Sequence, residues 1–255
     1  MNLLGLSAFA DNYIWMLHDG VRAFVVDPSD AAPVVAALDR LDLQLAGILV
    51  THHHADRVGG VEALRPRLQG PVYGPARDRI PAPLMPLKEG DTVEMLGLHF
   101  EVLDVPGHTA GHIAYVQRDA GREPLLFCGD TLCSGGCGRL FEGTPAQMHD
   151  SLSKLAALPT DARVCCTHEY MLSNLRFAAA AEPASDALMQ YRARCEALRA
   201  QGQPTLPSNI GQERSINPFP RCAKPAVVRA ARAQGAADDS PVAVLAAWRE
   251  RKNRC

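Results

Sequence analysis

The chain has 255 residues, of which 47% are hydrophobic and 21% are charged, so it can bury a full core in one large domain or two modest ones. Its formal net charge is −2 at pH 7. A charge so close to zero gives no reason to expect a nucleic-acid partner or binding to an anionic membrane surface. Composition therefore indicates a globular protein that binds neither nucleic acid nor a membrane surface.

The cysteines and the first residues both bear on the compartment in which the chain works. None of the 8 cysteines forms a C-x-x-C pair, and buried free thiols in a reducing compartment are expected for a chain of this length. The first residues lack the basic and apolar regions of a signal peptide, and no apolar stretch approaches the roughly 20 residues of a membrane helix. These features predict a soluble, cytoplasmic protein.

The first two thirds of the chain alternate between strand-like and helix-like segments. Two apolar runs joined by Asp19-Gly20 predict a hairpin, because this dipeptide favours the tight turn between antiparallel strands. Strands are predicted over residues 12–18, 22–27, 45–51, 92–96, 98–105, 112–117, 125–128 and 163–167. Helices are predicted over residues 31–41, 56–68 and 145–158. This alternation indicates two sheets sandwiched between helices.

The character of the sequence changes near residue 170. Stretches rich in Ala, Leu and Arg predict helices over residues 174–181, 185–200, 226–233 and 241–252. A stretch rich in Pro, Asn and Gly, from 201 to 225, predicts a loop. We therefore expect one domain over residues 1–169 and a helical domain over residues 170–255.

The densest cluster of metal-binding side chains follows the strand predicted at 45–51. Residues 51–60 read Thr-His-His-His-Ala-Asp-Arg-Val-Gly-Gly. A strand that ends in His-x-His-x-Asp directs these imidazoles and the carboxylate from the edge of the sheet into one pocket. Imidazole and carboxylate suit zinc, and they also suit iron or manganese. The segment therefore predicts a metal site.

Three later strands also end in a His or an Asp. His108 follows the strand at 98–105, Asp130 follows the strand at 125–128, and His168 follows the strand at 163–167. A single histidine at such a place usually has no role beyond local hydrogen bonding. Four such strand ends in one chain indicate a metal site rather than coincidence.

These four segments, in this order, resemble the signature of the metallo-β-lactamase superfamily, whose first segment reads Thr-His-x-His-x-Asp-His. Further segments look like glyoxalase II, the hydroxyacylglutathione hydrolases; they are residues 11–15 (DNYIW), 127–132 (FCGDTL), 135–144 (GGCGRLFEGT), 168–170 (HEY), 217–219 (NPF) and 248–252 (WRERK). The resemblance covers nearly the whole chain. It implies an α/β fold, an αββα metallo-β-lactamase sandwich followed by a C-terminal helical domain that binds the glutathione part of the substrate.

The resemblance also implies a reaction, the second step of methylglyoxal detoxification. A metal-bound hydroxide would hydrolyse S-(2-hydroxyacyl)glutathione thioesters, above all S-D-lactoylglutathione, to glutathione and a 2-hydroxy acid such as D-lactate. The thiolate leaves without much help from an acid, because a thiol pKa is about 8.5. Two zinc ions per chain are expected for the family, with iron or manganese as alternatives.

The metal ligands follow residue by residue from the same resemblance. The first metal is expected on His52, His54 and His108, the second on Asp56 and His168, and Asp130 is expected to bridge both. Catalytic roles carry over to the two carboxylates, Asp56 and Asp130.

One position departs from the family pattern. Arg57 stands where the family has the last histidine of the first segment. A guanidinium stays protonated and has no lone pair to offer a metal, and its positive charge also opposes the binding of a dication beside it. We therefore expect the second metal site to be weakened or empty, with about one tightly held metal and reduced turnover.

The substrate-binding residues implied by the resemblance are Arg139, Phe141, Tyr170, Arg249 and Lys252. Glutathione carries two carboxylates, so its site needs cations. Arg249 and Lys252 lie three residues apart on a predicted helix and therefore share a face.

Two other hypotheses remain open from the sequence. The first keeps the fold and changes the substrate to a lactone, a β-lactam or a phosphodiester, which the glutathione-type tail opposes. The second is a metal-depleted protein that mainly binds glutathione conjugates with impaired turnover, and Arg57 is the feature in its favour. A monomer that takes a small-molecule glutathione thioester is expected in either glutathione-based hypothesis.

Overall fold

The computed structural model describes residues 1–182 and 184–254. Within them the chain forms two compact units whose segments alternate along the sequence. The first unit comprises residues 1–104, 109–129 and 165–168, and the second comprises residues 105–108, 130–164 and the described residues from 169 onward. No helix in these described residues combines the length and the apolar character needed to span a lipid bilayer.

The first unit begins with a mixed sheet of six strands. Its elements are β1 (Asn2–Ala8), β2 (Asn12–His18), β3 (Arg22–Val26), α1 (Ala31–Leu41), β4 (Gln44–Leu49), and, after the histidine-rich loop, β5 (Val72–Pro75) and β6 (Met85–Leu87). The strands lie in the order β1-β2-β3-β4-β5-β6, antiparallel up to β3 and parallel from β3 onward. The change of direction falls at α1, because parallel neighbours need a crossover connection.

A second, antiparallel sheet belongs to the same unit. It contains β7 (Thr92–Met95), β8 (Leu98–Asp104), β9 (Ile113–Gln117) and β10 (Leu125–Phe127), in the order β10-β9-β8-β7. Phe24 of the first sheet meets Phe100 of the second edge to face, with ring centroids 5.5 Å apart. On the opposite face of β3, Val25 packs in one cluster with Val34 and Leu38 of α1. The first sheet is therefore covered on both faces, which explains its continuous apolar strands.

The prediction of one continuous helix over residues 56–68 is wrong. The structure instead has three short pieces, α2 (Ala55–Val58), α3 (Val61–Leu64) and a 3-10 turn (Arg65–Arg67). The break falls at Gly60, whose backbone N–H donates to the carbonyl of Pro28 at 2.8 Å. A Cβ at this glycine would lie 2.7 Å from backbone atoms of Asp30, so the chain passes too close for any other residue.

The second unit is mainly helical. Its elements are β11 (Leu132–Cys133), β12 (Gly136–Cys137), α4 (Pro145–Ala156), β13 (Arg163–Val164), α5 (Met171–Ala181), α6 (Asp186–Ala200), β14 (Ser208–Asn209), α7 (Ile210–Ile216), a 3-10 turn (Phe219–Arg221), α8 (Pro225–Arg232) and α9 (Pro241–Asn253). Several helices begin at a side-chain cap. Thr144 and Gln147 form a capping box at α4, and Ser240 caps α9 by accepting from the N–H of Ala243.

Most predicted elements agree with the structure to within a few residues, but two groups were missed. The prediction of an unbroken loop over 201–225 is wrong, since α7 lies inside it. Only seven residues long, α7 shows three buried positions, Ile210, Glu213 and Ile216, and one of these is charged, so it has no clear apolar period. Strand β1 was also missed, because Gly5 and the adjacent Leu3 and Leu4 interrupt its alternation. The remaining missed strands have only two to four residues each; they are β5, β6, β11, β12 and β14.

An aromatic cluster anchors the helices of the second unit. The rings of Phe177 and Phe219 stack at 6.0 Å, and Phe177 meets Trp248 edge to face at 5.7 Å. The cysteines contribute to the cores as apolar side chains. All seven that lie in the described residues are buried, as predicted, and Cys255 lies outside those residues.

Candidate functional site

A buried carboxylate fixes the loop that follows β4. Asp27 comes directly after β3, is fully buried and has a left-handed backbone conformation with φ of 52°. Its carboxylate accepts from the backbone N–H of Thr51 at 2.7 Å and from the Thr51 hydroxyl at 2.8 Å. The start of the histidine-rich loop is therefore held by charge-assisted hydrogen bonds as well as by packing.

The same hydroxyl determines which nitrogen of His52 keeps a lone pair. Because Thr51 donates its single hydroxyl proton to Asp27, its oxygen accepts from Nδ1 of His52, 3.0 Å away. Nδ1 then carries the ring proton, and Nε2 is left as the atom that can bind a metal. His112 stacks on this imidazole with 4.5 Å between ring centroids, which fixes the plane of the ring.

Two of the three consecutive histidines lie together. The rings of His52 and His54 are 4.9 Å apart, and each offers a nitrogen within 4.8 Å of the other. His53 instead contacts the carboxylate of Asp78, both through its backbone N–H at 3.1 Å and through Nδ1 at 3.0 Å. This alternation follows from the extended backbone of the loop and makes His52 and His54 the first pair of donors.

His168 and Asp56 form a second pair of donors in the first unit. The backbone N–H of Tyr13 donates to the carbonyl of Thr167 at 2.8 Å and so fixes the segment that carries His168. Nδ1 of His168 donates to the carboxylate of Asp11 at 3.0 Å, so Nε2 keeps the lone pair. This nitrogen lies 3.6 Å from Oδ2 of Asp56.

Arg57 contacts both members of this second pair. Its side chain is fully buried, whereas that of Asp56 is 39% exposed. Nη1 donates to the backbone carbonyl of Asp56 at 2.6 Å, and Nη2 lies 3.2 Å from the Asp56 carboxylate. Nη2 also donates to Nε2 of His168.

His108 and Asp130, both in the second unit, form a third pair. Nε2 of His108 lies 3.3 Å from Oδ2 of Asp130. Nδ1 of His108 lies 2.8 Å from the backbone carbonyl of Arg139, and since a carbonyl can only accept, Nδ1 carries the proton. The ring of Phe141 packs against the imidazole at 5.3 Å and 76°, which restricts its rotation.

The six metal ligands predicted from the resemblance thus occur as three close pairs. The pairs are His52 with His54, Asp56 with His168, and His108 with Asp130. Three of the four imidazoles, those of His52, His108 and His168, have Nδ1 next to an acceptor, so that the lone pair is on Nε2, the usual state of a metal-binding histidine. In His168 this lone pair accepts from Arg57. Imidazole nitrogen and carboxylate oxygen are donors that suit a divalent metal, but the second pair is engaged by the guanidinium of Arg57.

The β11–β12 hairpin connects Asp130 to Arg139 and is held by a buried glutamate. Glu213 accepts from the backbone N–H of Gly135 at 2.8 Å and from the Ser208 hydroxyl at 2.6 Å. It also accepts from the Ser134 hydroxyl and from the Asn217 amide. Burial raises the pKa of Glu213, and these four donors act in the opposite direction. Residue 217 belongs to the Asn-Pro-Phe segment, which therefore supports the hairpin.

The predicted substrate residues fall into an exposed group and a buried group. Arg139 is exposed, as are Phe141 at 61% and Tyr170 at 40%. Arg249 is only 4% exposed, and its Nη1 donates to the carbonyl of Cys137 at 2.6 Å. Arg249 is therefore a support of the hairpin in this structure, in addition to any contact with a ligand.

Arg249 and Lys252 do share a face of α9, as their spacing predicts. The guanidinium of Arg249 lies 5.6 Å from the ring centroid of Phe219, and Nζ of Lys252 lies 5.0 Å from that of Phe177. These two rings stack on each other. Both cations thus lie over one aromatic pair, where cation–π attraction holds them in place.

Cys137 is not arranged as a nucleophile. Its thiol is buried, and burial raises its pKa, although the nearby Arg249 acts in the opposite direction. A thiol whose ionised form is disfavoured attacks poorly. The residue is a buried apolar part of the hairpin.

Sequence reasoning missed several residues that position the ligands. Thr51 belongs to the histidine-rich motif and Asp11 to a family segment, and each also fixes the tautomer of a histidine. A Thr beside a strand-end histidine is a usable signal for such a role, whereas Asp11 lies 157 residues from His168 and gives no local signal. Glu213 had no signal, because it lies in the stretch predicted as a loop.

Two family models together match nearly the whole chain. The model of the metallo-beta-lactamase superfamily matches residues 10–168, and the model of the hydroxyacylglutathione hydrolase C-terminus matches residues 169–255. The fold is therefore that of a metal-dependent hydrolase of this superfamily. The predicted αββα sandwich followed by a C-terminal helical domain is confirmed.

Full-length relatives identify the family within this class. A hydroxyacylglutathione hydrolase of Albidiferax ferrireducens is 57% identical over 254 residues, which cover 100% of both chains. Another, of Pseudomonas paraeruginosa, is 54% identical over 252 residues and covers 96% of this chain and 97% of its own. The chain belongs to the hydroxyacylglutathione hydrolase, or glyoxalase II, family.

Solved structures with the same fold include a metal-bound one. TTHA1623 in a di-iron-bound form matches with a TM-score of 0.61 and 25% identity, over 86% of this chain and 100% of its own. ETHE1 from Myxococcus xanthus matches with a TM-score of 0.57 and 26% identity, over 85% of this chain and 96% of its own. The fold and the His and Asp pairs together support a divalent metal in this chain.

Proposed function

We propose that the protein hydrolyses S-(2-hydroxyacyl)glutathione thioesters, above all S-D-lactoylglutathione, and releases glutathione and D-lactate in the cytoplasm. The observation that carries this proposal is the match of residues 169–255 to the hydroxyacylglutathione hydrolase C-terminus, beside full-length identity of 57% to a named hydrolase. If the substrate were a lactone or a β-lactam, the presence of this C-terminal segment would have no explanation. We assign the chemistry to residues 1–169 and glutathione binding to residues 170–255, in a monomer.

We propose zinc as the resident metal, held by His52, His54 and His108 with Asp130 beside them. These residues all lie within 10–168, the span of the superfamily model. Zinc favours imidazole nitrogen and carboxylate oxygen, and iron or manganese would accept the same donors. When bound, the metal supplies Lewis acidity that polarises a carbonyl and lowers the pKa of a water molecule toward neutrality.

The protein's own groups orient the reactants. Arg139 holds His108 through its carbonyl, and Thr51 holds His52 through its hydroxyl, so neither imidazole can rotate or change tautomer freely. As the oxygen of a water molecule bonds to the thioester carbonyl carbon, the carboxylate of Asp130 orients that water and accepts the proton that it loses. The glutathione thiolate leaves as an anion, because its thiol is acidic enough to need no proton from the protein.

A panel of substrates tests this function. Purified protein reconstituted with zinc is mixed with S-D-lactoylglutathione, with S-D-lactoyl-cysteamine, which lacks the peptide, and with a β-lactam. We expect rapid thiol release from the first, much slower release from the second and no hydrolysis of the third. Equal rates with both thioesters would contradict glutathione recognition, and preferential β-lactam hydrolysis would contradict the proposed function.

Replacing Lys252 by Ala tests the glutathione-binding role. We expect KM for S-D-lactoylglutathione to rise about 10-fold with little change in kcat, because the ammonium contributes binding that is equal in the ground and transition states. Lys252 is preferred to Arg249 because loss of the latter also removes the hydrogen bond to Cys137. The exposed Lys224, replaced by Ala, is the matched control and should leave both constants unchanged. A fall in kcat at constant KM for the Lys252 variant would count against the assignment.

Replacing Thr51 by Val tests the proposed control of the His52 tautomer. Valine has the same shape but cannot accept from Nδ1, so we expect zinc to bind about 10–100-fold more weakly, as is typical for such supporting groups. Competition with a chelator measures the affinity directly. Thr92→Val, on the exposed face of β7, is the control. Unchanged affinity in the Thr51 variant would show that the hydroxyl has no such role.

A further inference from the structure

We propose that the guanidinium of Arg57 takes the place of the second metal ion, so that this chain works with a single metal. The inference rests on the proposed function only in assuming that the first metal is present. In this chain the residues at the family's second metal position do not fit a metal. Its test therefore measures metal content as well as turnover.

The lone pairs that a second metal would need are directed at Arg57. Nδ1 of His168 donates to Asp11, so the only lone pair of this imidazole is on Nε2, and Nη2 of Arg57 donates to it. The same guanidinium nitrogen lies 3.2 Å from the carboxylate of Asp56. Both groups that remain from the family's second set are thus hydrogen-bond acceptors for one cation.

The arrangement has the form of a metal site with a guanidinium in place of the metal. In many metal centres a carboxylate holds Nδ1 of a histidine while Nε2 binds the metal. Asp11 and His168 show this arrangement, and Arg57 is the cation at its end. Its permanent positive charge offsets the negative charge of Asp56, which would otherwise favour a divalent ion.

Burial and a backbone hydrogen bond also hold the guanidinium of Arg57 in this position. The Arg57 side chain is fully buried, and Nη1 donates to the carbonyl of Asp56 at 2.6 Å. A metal ion entering this position would have to displace the buried guanidinium from three acceptor atoms, namely the Asp56 carbonyl, the Asp56 carboxylate and Nε2 of His168. Separating a buried charge from its partners is costly. Added metal should therefore fail to fill the second position even in excess.

The direct test is the metal content of the unmodified protein. The protein is stripped with a chelator, incubated with excess zinc, freed of unbound ions by gel filtration and analysed by elemental mass spectrometry. We expect about one equivalent of zinc per chain for the wild type and about two for Arg57→His, whose imidazole restores a nitrogen donor. Arg65→His, which adds a histidine to the same segment at a position where the side chain is 21% exposed, should remain at about one.

Asp56→Asn gives a second readout that does not depend on the histidine variant folding well. If Asp56 pairs with Arg57, this variant keeps the metal content of the wild type; if it binds a second metal, the content falls from two to one. Two tightly held ions in the wild type, or a fall in content in Asp56→Asn, would overturn the inference. Failure of the proposed function looks different, namely a normal content of one ion without hydrolysis of S-D-lactoylglutathione.

Discussion

Replacing His108 by Ala is expected to lower kcat/KM for S-D-lactoylglutathione by about 10³-fold, the scale of losing the main electrostatic support of a transition state. The imidazole is fixed for metal binding, since its Nδ1 lies 2.8 Å from the carbonyl of Arg139 and its Nε2 lies 3.3 Å from Asp130. Alanine removes a nitrogen donor and the contact of this imidazole with the neighbouring carboxylate. Because the protein is expected to hold one metal, no second ion would compensate.

Metal content and turnover should fall together in this variant. His99→Ala is the matched control, because that side chain is 59% exposed on β8 and pairs with Asp119. It should retain both zinc and activity. A His108 variant with full zinc content and near-normal kcat/KM would show that the metal is not held by this residue.

Replacing Glu213 by Ala is expected to reduce the free energy of unfolding by about 3 kcal/mol, since hydrogen bonds to a buried charged group each contribute about 1.5–3 kcal/mol and losses within one network overlap. The substitution leaves the Gly135 N–H and the Ser208 hydroxyl, which donate to Glu213 at 2.8 and 2.6 Å, without their acceptor. It also removes the Glu213 carboxylate to which the Ser134 hydroxyl and the Asn217 amide donate. The hairpin that leads from Asp130 to Arg139 should loosen, so activity should fall with stability.

Chemical denaturation measures the loss in free energy of unfolding, and two further variants serve for comparison. Glu213→Gln keeps one acceptor oxygen and should lose less stability than the alanine variant. Glu196→Ala on α6, where the carboxylate is 49% exposed and pairs with Arg192, should change the free energy of unfolding by less than about 1 kcal/mol. Equal effects of the Glu213 and Glu196 substitutions would contradict the structural role assigned to the network.

The predictable part of the fold is the part with a regular apolar pattern. The hairpin at Asp19-Gly20 and the helix at 31–41 follow from local turn chemistry and periodicity, and the structure has both. The break at Gly60 does not follow from local pattern, because it depends on contact with the backbone of residues 28–31, far along the chain. Similarly, α7 is stabilised by the burial of Glu213 in a network that its own seven residues do not reveal.

The candidate ligands could be predicted because they stand at strand ends in a recognisable order. What their sequence positions do not reveal is the identity of the hydrogen-bond partners that fix each imidazole. Thr51 is adjacent to its histidine, whereas Asp11 lies 157 residues from His168. The identity of residue 57 was a visible departure, but the engagement of both Asp56 and His168 by one buried guanidinium emerges only from the folded chain.

The most direct test of the central claim is the products formed from S-D-lactoylglutathione by metal-stripped protein and by the same sample after zinc is restored. Free glutathione is measured with a thiol reagent, and D-lactate is measured by a stereospecific dehydrogenase. A metal-dependent hydrolase should release both products in equal amounts after zinc is restored and neither before. Release of equal amounts by the stripped protein, or no release by the zinc-loaded protein, would contradict the account.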